Sequence, residues 1–338
     1  MTVSAAPRVS ILLPAFNAEA TLPACLRSIL RQREVEWECL VVDDGSEDGT
    51  LECARGFAAR DPRFRAIPAG RHGLVRALGT GLRHCRAPLV ARMDADDLMH
   101  RDRLAAQVTL LERDTRLDAV GCHVRVFPRD SLKDGARRYE SWLNGIATAE
   151  DVRREAFIEC PVAHPTLMIR RDLLVEMEYR EMGWPEDYDL ILRLLAAGKR
   201  VGVLPRRHLC WRDSRDRLSR IDNAYSLERF TACKAFHLAS TFLADTDRYL
   251  LWGYGATGRA LRRALLAHDR QPAHIIELHP RRLGNVIHGA PVVPPDELPR
   301  LPRLPLLVSV AGAIPRNQIR TALTTLGFHE IQDYLCTA

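Results

Sequence analysis

Three groups of acidic residues in this sequence have the types and spacing needed for chemistry on a charged substrate. In the first, Asp94 and Asp96 are separated by one alanine and follow the apolar run 89–93. Carboxylate oxygens in this arrangement are ligands for hard divalent cations such as Mg²⁺ or Mn²⁺. Such a cation can bridge the two phosphates of a nucleoside diphosphate and neutralise charge on a leaving group. A pair of exposed loop acids is the alternative for this motif taken alone.

The other two groups are Asp43-Asp44 and Glu186-Asp187. Asp44 follows an apolar run, where its carboxylate can accept hydrogen bonds from a pyrimidine N–H or a ribose hydroxyl. Turn formation by Asp-Asp-Gly-Ser is the alternative. Glu186-Asp187 opens a predicted helix, where a carboxylate can serve as general base to a hydroxyl. Capping of the positive end of the helix dipole is the alternative there.

The elements around these acids alternate between strands and helices. Apolar runs predict strands at 8–13, 37–42 and 89–93, and helical spacing predicts helices at 18–32 and 48–60. Such alternation indicates an α/β fold with a largely parallel sheet. In such sheets ligands bind beyond the carboxyl ends of the strands. We therefore expect Pro14-Ala15-Phe16-Asn17, Asp43-Asp44 and Asp94-Ala95-Asp96-Asp97 to meet at one edge.

A second strand and helix pattern begins after Asp245. The strand predicted at 249–252 runs into a Gly-x-Gly-x-x-Gly motif made by Gly253, Gly255 and Gly258. Glu277 follows at the end of a later strand, where an acid can contact a ribose. The sequence thus predicts two domains, 7–244 and 245–338, the second a small Rossmann-like domain that binds a nucleotide. A domain that kept the fold for dimerisation or partner docking is the alternative.

Composition narrows the class of protein. The 338 residues are 46% hydrophobic and 27% charged, with a net charge of +6, which is typical of a globular chain. Basic residues are not clustered with aromatics, so nucleic-acid binding is not indicated. Nine cysteines without a Cys-x-x-Cys pair favour reduced thiols in a cytoplasmic protein. Because no signal peptide or membrane span is predicted, any membrane contact would be peripheral, at the inner face.

The acidic groups and their flanking strands resemble glycosyltransferase family 2, which has the GT-A fold. The matching segments are Val9–Asn17, Val41–Thr50, Ala91–Asp97 and Pro185–Leu190. The likeness covers about residues 7–225. The Asn-x-Gly that the family often has near Arg71-His72-Gly73 is missing.

The resemblance implies a role for each group. The residues implied to bind the nucleotide-sugar are Pro14, Ala15, Phe16, Asn17, Asp44, Asp94 and Arg212. Asp44 would read the base, Asp96 would be the main metal ligand, and Asp94 would lie beside the sugar or the metal. Asp187 would be the catalytic base, supported by Glu186. The segment from Trp211 to Ser219 resembles the family's mobile loop over the diphosphate.

The implied activity is that of a metal-dependent, inverting, hexosyltransferase-type enzyme of polysaccharide biosynthesis. It would use Mg²⁺ or Mn²⁺ and move a sugar from a nucleotide-diphosphate donor to a hydroxyl of a glycan or lipid-linked glycan. The second domain resembles the nucleotide-sugar-binding domain of sugar O-acyltransferases. Two alternatives stay open, an NAD-dependent sugar-nucleotide oxidoreductase or epimerase and a non-catalytic sugar-nucleotide-binding scaffold. A homo-oligomer is also left open.

Overall fold

The computed structural model describes residues 6–214, 217, 220 and 222–338. The chain divides into two compact units. The first takes in the chain up to Val152, Pro161–Glu181 and Arg193–Arg217. The second takes in Arg153–Cys160, Met182–Leu192 and the described residues from Arg220 onward. The predicted boundary at 244/245 is therefore not the line between compact units, and it stays a prediction about domains.

The first unit contains an eight-stranded mixed sheet, in the order β3-β2-β1-β4-β7-β6-β8-β5. The strands are β1 (Val9–Ala15), β2 (Trp37–Asp43), β3 (Phe64–Pro68), β4 (Leu89–Arg92), β5 (Leu98–Met99), β6 (Ala119–Phe127), β7 (Met168–Arg170) and β8 (Val201–Arg212). Strands β1 to β4 are parallel where they pair, and β7 runs antiparallel to β4 and β6. The predicted α/β fold is confirmed.

Eight helices lie between residues 22 and 196, and the sixth and the eighth of them have residues in both compact units. They are α1 (Leu22–Leu30), α2 (Thr50–Arg60), α3 (Leu74–His84), α4 (Arg103–Arg113), α5 (Asp134–Leu143), α6 (Ala149–Glu155), α7 (Arg171–Met177) and α8 (Glu186–Ala196). A 3₁₀ turn, His164–Thr166, precedes β7. Strand β6 and helices α5 and α6 follow one another between Ala119 and Glu155.

The second unit contains a six-stranded sheet in the order β11-β12-β10-β9-β13-β14. Its strands are β9 (Arg248–Trp252), β10 (Gln271–Ile276), β11 (Val286–Ile287), β12 (Ala290–Val293), β13 (Leu306–Val308) and β14 (Tyr334–Cys336). Its helices are α9 (Leu227–Ser240), α10 (Ala256–Leu266) and α11 (Ala313–Thr325), and its 3₁₀ segments are Asn223–Tyr225 and Pro295–Arg300. The pairs around β9 are parallel, so a second α/β sheet is present as predicted.

Burial on both faces explains the apolar strands. Every residue of β1, β2 and β4 is buried, which parallel strands covered by helices require. The polar residues that follow β1, β2 and β4 are therefore the first residues after each strand that can lie outside the hydrophobic core. Among the described residues, no helix is both long enough and apolar enough to cross a membrane.

Candidate active site

Strand register brings the predicted clusters of the first unit to one edge of its sheet. Ala15 at the end of β1 pairs with Asp43 at the end of β2. On the other side of β1, Leu12 pairs with Arg92, the last residue of β4. Because these strands are parallel, the segments that follow them leave the sheet on the same side. Their polar residues form the candidate site.

Three carboxylates form a cluster directly after β4. Single oxygens of Asp94, Asp96 and Asp97 all lie within 4.8 Å of one another. Asp97 is completely buried, and its Oδ1 accepts a hydrogen bond of 2.7 Å from the backbone N–H of Arg212. Its Oδ2 has no hydrogen-bond partner in the part of the chain that the structure describes. A buried carboxylate oxygen without a donor is a position that a bound cation would satisfy.

Arg92 compensates part of this negative charge. The side chain of Arg92 is only 4% exposed, and its Nη2 lies 2.7 Å from Oδ1 of Asp94. Burial alone would raise the pKa of Asp94, but the charges of Arg92, His164 and Arg217 outweigh it and the pKa is lowered. Asp94 is therefore held in its ionised form beside the other two carboxylates.

The pKa values of Asp96 and Asp97 are shifted in the opposite direction, upward. Burial, together with the charge of Asp94, raises the pKa of Asp96 to about 6. Burial and the charges of Asp94 and Asp96 raise the pKa of Asp97 well above its usual range. Arg92, Arg212 and Arg217 offset part of the negative charge of the three carboxylates, but the raised pKa values of Asp96 and Asp97 show that repulsion among them remains. The all-oxygen donor set and the orphaned Oδ2 of Asp97 both fit a hard divalent cation.

Asp44 is held in place by the loop that follows β3. Its Oδ1 accepts hydrogen bonds from the backbone N–H groups of His72 at 2.9 Å and Gly73 at 3.1 Å. Gly73 has φ +89°, so this loop conformation favours glycine. The carboxylate is 8% exposed, and its contacts fix its orientation. Its predicted role in reading a base stays a prediction.

The segment after β1 is shaped by reciprocal contacts with the loop after β2. The backbone N–H of Asn17 donates to the Ser46 hydroxyl, and Oδ1 of Asn17 accepts from the N–H of Glu47. Phe16 is 41% exposed, and the guanidinium of Arg71 lies 4.7 Å from the centre of its ring. Pro14 and Ala15 are the last residues of β1. An exposed aromatic ring beside an arginine is suited to stacking against a planar base.

Arg212, the last residue of β8, contacts the acidic cluster. Its Nε donates to the backbone carbonyl of Asp96 at 2.7 Å, and its guanidinium lies 4.6 Å from the centre of the Phe127 ring. Arg212 thus supports the backbone that carries Asp96, a contact that the sequence did not predict. Of the predicted mobile loop, residues 215, 216, 218 and 219 lie outside the described residues.

The second unit contains the predicted base. Glu186 begins α8 and is 4% exposed, and its Oε2 accepts a hydrogen bond of 2.5 Å from the Tyr225 hydroxyl. Asp187 is half-buried, and its Oδ1 accepts the backbone N–H of Tyr188 at 2.7 Å. These two acids have different surroundings although they are adjacent in sequence. Helix α8 ends at Ala196, and Gly198, with φ +72°, follows its C-terminus as glycine often does.

The glycine motif of the second unit connects β9 to α10. A Cβ on Gly253 would lie 2.5 Å from Val310, and one on Gly258 would lie 2.1 Å from the carbonyl of Gly253. Close packing therefore requires glycine at both positions. A Cβ on Gly255 would meet nothing within 4 Å, so this face of the loop is open.

Glu277, which follows the last residue of β10, accepts hydrogen bonds that hold this loop in place. Its Oε2 accepts from the N–H of Tyr254 and from Arg282, both at 3.0 Å. Its Oε1 accepts from the N–H groups of Leu278 and His279. The contacts give Glu277 a structural part in the motif, and its contact with a ribose stays a prediction.

Sequence reasoning missed Arg92, Asp97 and Tyr225 as site residues. Arg92 offered a signal, because a charged residue inside a buried strand needs a partner. Asp97 is adjacent to the predicted pair. Tyr225 gave no local signal, since its partner Glu186 lies 39 positions earlier in the chain.

Comparisons with known proteins match the part of the chain that contains the acidic cluster. The family described as Glycosyl transferase family 2 matches residues 10–177. The putative glycosyltransferase EpsE of Bacillus subtilis is 30% identical over 246 residues, which cover 70% of this chain and 85% of that protein.

Two kinds of solved structure share the fold. S. aureus TarS 1-349 in complex with UDP-GlcNAc has a TM-score of 0.55 and 16% identity, covering 77% of this chain and 72% of that one. The mannosyltransferase PcManGT from Pyrobaculum calidifontis, in complex with GDP-Man and Mn²⁺, has a TM-score of 0.54 and 22% identity. That match covers 78% of this chain and 73% of the other. At these identities the likeness concerns the fold.

Proposed function

The chain belongs to glycosyl transferase family 2 and is a glycosyltransferase, and we propose that it is an inverting, metal-dependent one. The donor is a sugar linked to a nucleoside diphosphate, and the acceptor is a hydroxyl of a glycan or lipid-linked glycan of polysaccharide biosynthesis. The observation that carries the proposal is the cluster of Asp94, Asp96 and Asp97, where burial and repulsion raise the pKa of Asp96 and Asp97 and Oδ2 of Asp97 has no hydrogen-bond partner among the described residues.

Asp96 and Asp94 would hold a Mg²⁺ or Mn²⁺ ion in this proposal. When bound, such an ion neutralises negative charge on the diphosphate. Arg92 keeps Asp94 ionised, and Arg212 fixes the backbone of Asp96. Arg92 and Arg212 thus hold the acidic cluster in a fixed geometry before a donor binds. The carboxylates then do not have to reorganise during the reaction.

Donor recognition is assigned to the segments after β1 and β2. Phe16, with Pro14, Ala15 and Asn17 around it, offers an exposed ring and backbone to the base and ribose. Asp44 accepts hydrogen bonds in a fixed orientation set by His72 and Gly73. The two structural neighbours are complexes with UDP-GlcNAc and with GDP-Man, which favours UDP-sugars and GDP-sugars as the first donors to try.

Asp187 is assigned as the base. It takes the proton of the acceptor hydroxyl while that oxygen attacks the anomeric carbon and the bond to the diphosphate breaks. A single displacement of this kind inverts the configuration at that carbon. Glu186 supports the base by fixing the start of α8 through Tyr225. Asp187 is half-buried, whereas Glu186 is nearly inaccessible, which favours Asp187 as the residue that meets a substrate.

A screen of nucleotide-sugars tests this function directly. The protein is incubated with Mn²⁺, a panel of UDP-sugars and GDP-sugars, and simple glycosides as acceptors, and free nucleoside diphosphate is measured. The anomeric configuration of the product is then read by NMR from the one-bond and vicinal coupling constants. We expect one donor to be preferred and the product to be inverted. A product that retains configuration would overturn the single displacement.

The second unit is proposed to bind a nucleotide or nucleotide-sugar without doing chemistry. Strand β9 lies between β10 and β13, so its loop is at the point where the strand order reverses, the usual ligand position in such sheets. The open face of Gly255 and the buried Ser309, whose Oγ has no partner among the described residues, support a ligand near Gly253, Gly255 and Gly258. Calorimetry with UDP, GDP and NAD on wild type and Gly255→Val tests it. Binding of NAD alone would favour the oxidoreductase.

A further inference from the structure

We infer that Tyr225 and His237 are positioning residues that hold the start of α8, and with it Glu186 and Asp187, in the geometry needed for catalysis. This inference rests on the proposed role of Asp187 as base. It assigns a function to α9 and the 3₁₀ turn before it, a segment to which neither sequence motif nor family resemblance gives a role. All the residues concerned belong to the second compact unit.

Three side-chain contacts join the two helices. The Tyr225 hydroxyl donates to Oε2 of Glu186 at 2.5 Å. The ring of Phe230 stacks on that of Tyr188, with centroids 4.2 Å apart and planes 6° from parallel. Nε2 of His237 lies 3.0 Å from Oδ1 of Asp189. The first four residues of α8 thus contact α9 and its N-terminal turn at three separate points, which fixes both the position and the rotation of the helix.

The groups of α8 that make these contacts are buried. If a partner side chain is removed, water therefore cannot readily take its place. Tyr188 and Asp189 are 0% exposed, His237 is 3% exposed, and Glu186 is 4% exposed. A buried carboxylate that loses a donor is costly, and the structure moves to find another partner. Because Asp187 lies between Glu186 and Asp189 in the chain, any such movement displaces its carboxylate. A displacement of about 1 Å is enough to lower a rate about 100-fold.

A metal site is the competing explanation for part of this network. Single atoms of Asp189, Cys233 and His237 lie within 4.8 Å of one another. However, the indole N–H of Trp184 also reaches Oδ1 of Asp189, at 3.3 Å. Indole nitrogen can only donate, so this oxygen already acts as a hydrogen-bond acceptor. Two nitrogens directed at one carboxylate oxygen favour a hydrogen-bonded anchor over a coordinated ion.

Kinetic variants test the inference. Tyr225→Phe removes only the hydroxyl, His237→Leu removes the ring nitrogens, and His237→Gln restores an N–H donor near the position of Nε2. With Mn²⁺ and the preferred nucleotide-sugar, we expect Tyr225→Phe and His237→Leu to lower kcat by about 10-fold to 100-fold. The KM for the donor should change less than about twofold, because positioning of a base affects the chemical step. His237→Gln should recover most of the lost kcat.

Wild-type kcat in both Tyr225→Phe and His237→Leu, assayed below their melting temperatures, would overturn the inference.

Hydrogen exchange gives a readout that does not need the donor to be known. Both variants should increase exchange at the backbone amides of residues 187–192 and leave β1 and β2 unchanged. Thr231→Ala is the matched control, since its hydroxyl bonds to the Leu227 carbonyl within α9. Equal exchange in wild type and variants would contradict the inference. Zinc that copurifies at one equivalent and is lost in His237→Leu would replace it with the metal site.

Asp187→Asn separates this inference from the proposed function. If Asp187→Asn is inactive while Tyr225→Phe and His237→Leu are both fully active, the base assignment stands and the positioning role fails. If Asp187→Asn keeps wild-type kcat, the base assignment itself is wrong, whatever the exchange data show for α8.

Discussion

Arg92 and Asp94 form an ion pair in which Nη2 and Oδ1 are 2.7 Å apart and the arginine side chain is only 4% exposed. Asp94 belongs to a cluster of three carboxylates, together with Asp96 and Asp97. The pair lowers the pKa of Asp94, whereas burial and the charge of Asp94 raise the pKa of Asp96 to about 6. The apo protein therefore carries electrostatic repulsion that a divalent cation would relieve.

Replacing Asp96 by Asn should raise the stability of the apo protein while removing its response to metal. The substitution removes one of three mutually repelling charges and keeps nearly the same shape. We expect the melting temperature of Asp96→Asn without metal to equal or exceed that of wild type. Added Mn²⁺ should stabilise wild type and have little effect on the variant. Differential scanning fluorimetry measures both, with Asp102→Asn, on the loop before α4, as the control. A wild-type metal response in Asp96→Asn would remove Asp96 from the ligand set.

Metal affinity should fall on acidification through pH 6. Burial and the charge of Asp94 raise the pKa of Asp96 to about 6, so below that pH a proton competes with the cation. The raised pKa also means that this group destabilises the apo fold above pH 6 and does so less as the pH falls. From pH 7.5 to pH 5.0 we expect Mn²⁺ affinity to drop about 10-fold, as one carboxylate of this pKa dictates. Calorimetric titration at the two pH values checks this. Equal affinity at both would contradict the assignment of Asp96 as a ligand.

Loss of the proposed base should affect the chemical step and spare donor binding. We expect Asp187→Asn to lower kcat by about 10²-fold to 10⁴-fold, the usual effect of removing a general base. The dissociation constant for the nucleoside diphosphate with Mn²⁺ should be unchanged, because this residue is assigned to the acceptor. Steady-state kinetics and calorimetry measure the two effects. Weakened donor binding with normal kcat would reassign Asp187 to the donor.

The sequence predicted the apolar strands of the first sheet and the acids that follow them, because both leave a local signal. The runs before Pro14, Asp44 and Asp94 are mostly apolar, as buried parallel strands favour, although they contain Ser10, Glu38, Asp43 and Arg92. The partners of these acids were not predictable in the same way. Tyr225 reaches Glu186 over 39 positions and His237 reaches Asp189 over 48, and no local periodicity encodes such pairs.

The division into compact units was missed for a related reason. Segments Arg153–Cys160 and Met182–Leu192 belong to the second unit, although they lie within the predicted catalytic domain. Buried polar contacts hold the first of these segments there. Arg320 of α11 pairs with Glu155 at 2.8 Å, and Lys234 donates to the carbonyls of Ile158 and Thr337.

Breaking the contact between Arg320 and Glu155 should therefore destabilise the second unit. Arg320 also pairs with Glu330, so Arg320→Met removes one cation from two carboxylates with little exposure, and Glu155 keeps the longer contact of 3.5 Å with Arg154. We expect the free energy of unfolding to fall by about 2 kcal/mol, since the loss of one partner of a largely buried pair is costly. Chemical denaturation measures it. Glu155→Gln added to Arg320→Met should restore part of the loss, and an unchanged unfolding midpoint in Arg320→Met would contradict the structural role.

Turnover of the preferred nucleotide-sugar with and without divalent cation tests the central claim most directly. Release of nucleoside diphosphate is measured for wild type in Mn²⁺ and in excess chelator, and for Asp96→Asn in Mn²⁺. The account predicts turnover only for wild type with Mn²⁺ and a loss of at least about 10³-fold in the other two, since several kcal/mol of charge stabilisation is removed. Full turnover in excess chelator would contradict metal-dependent transfer at the carboxylate cluster.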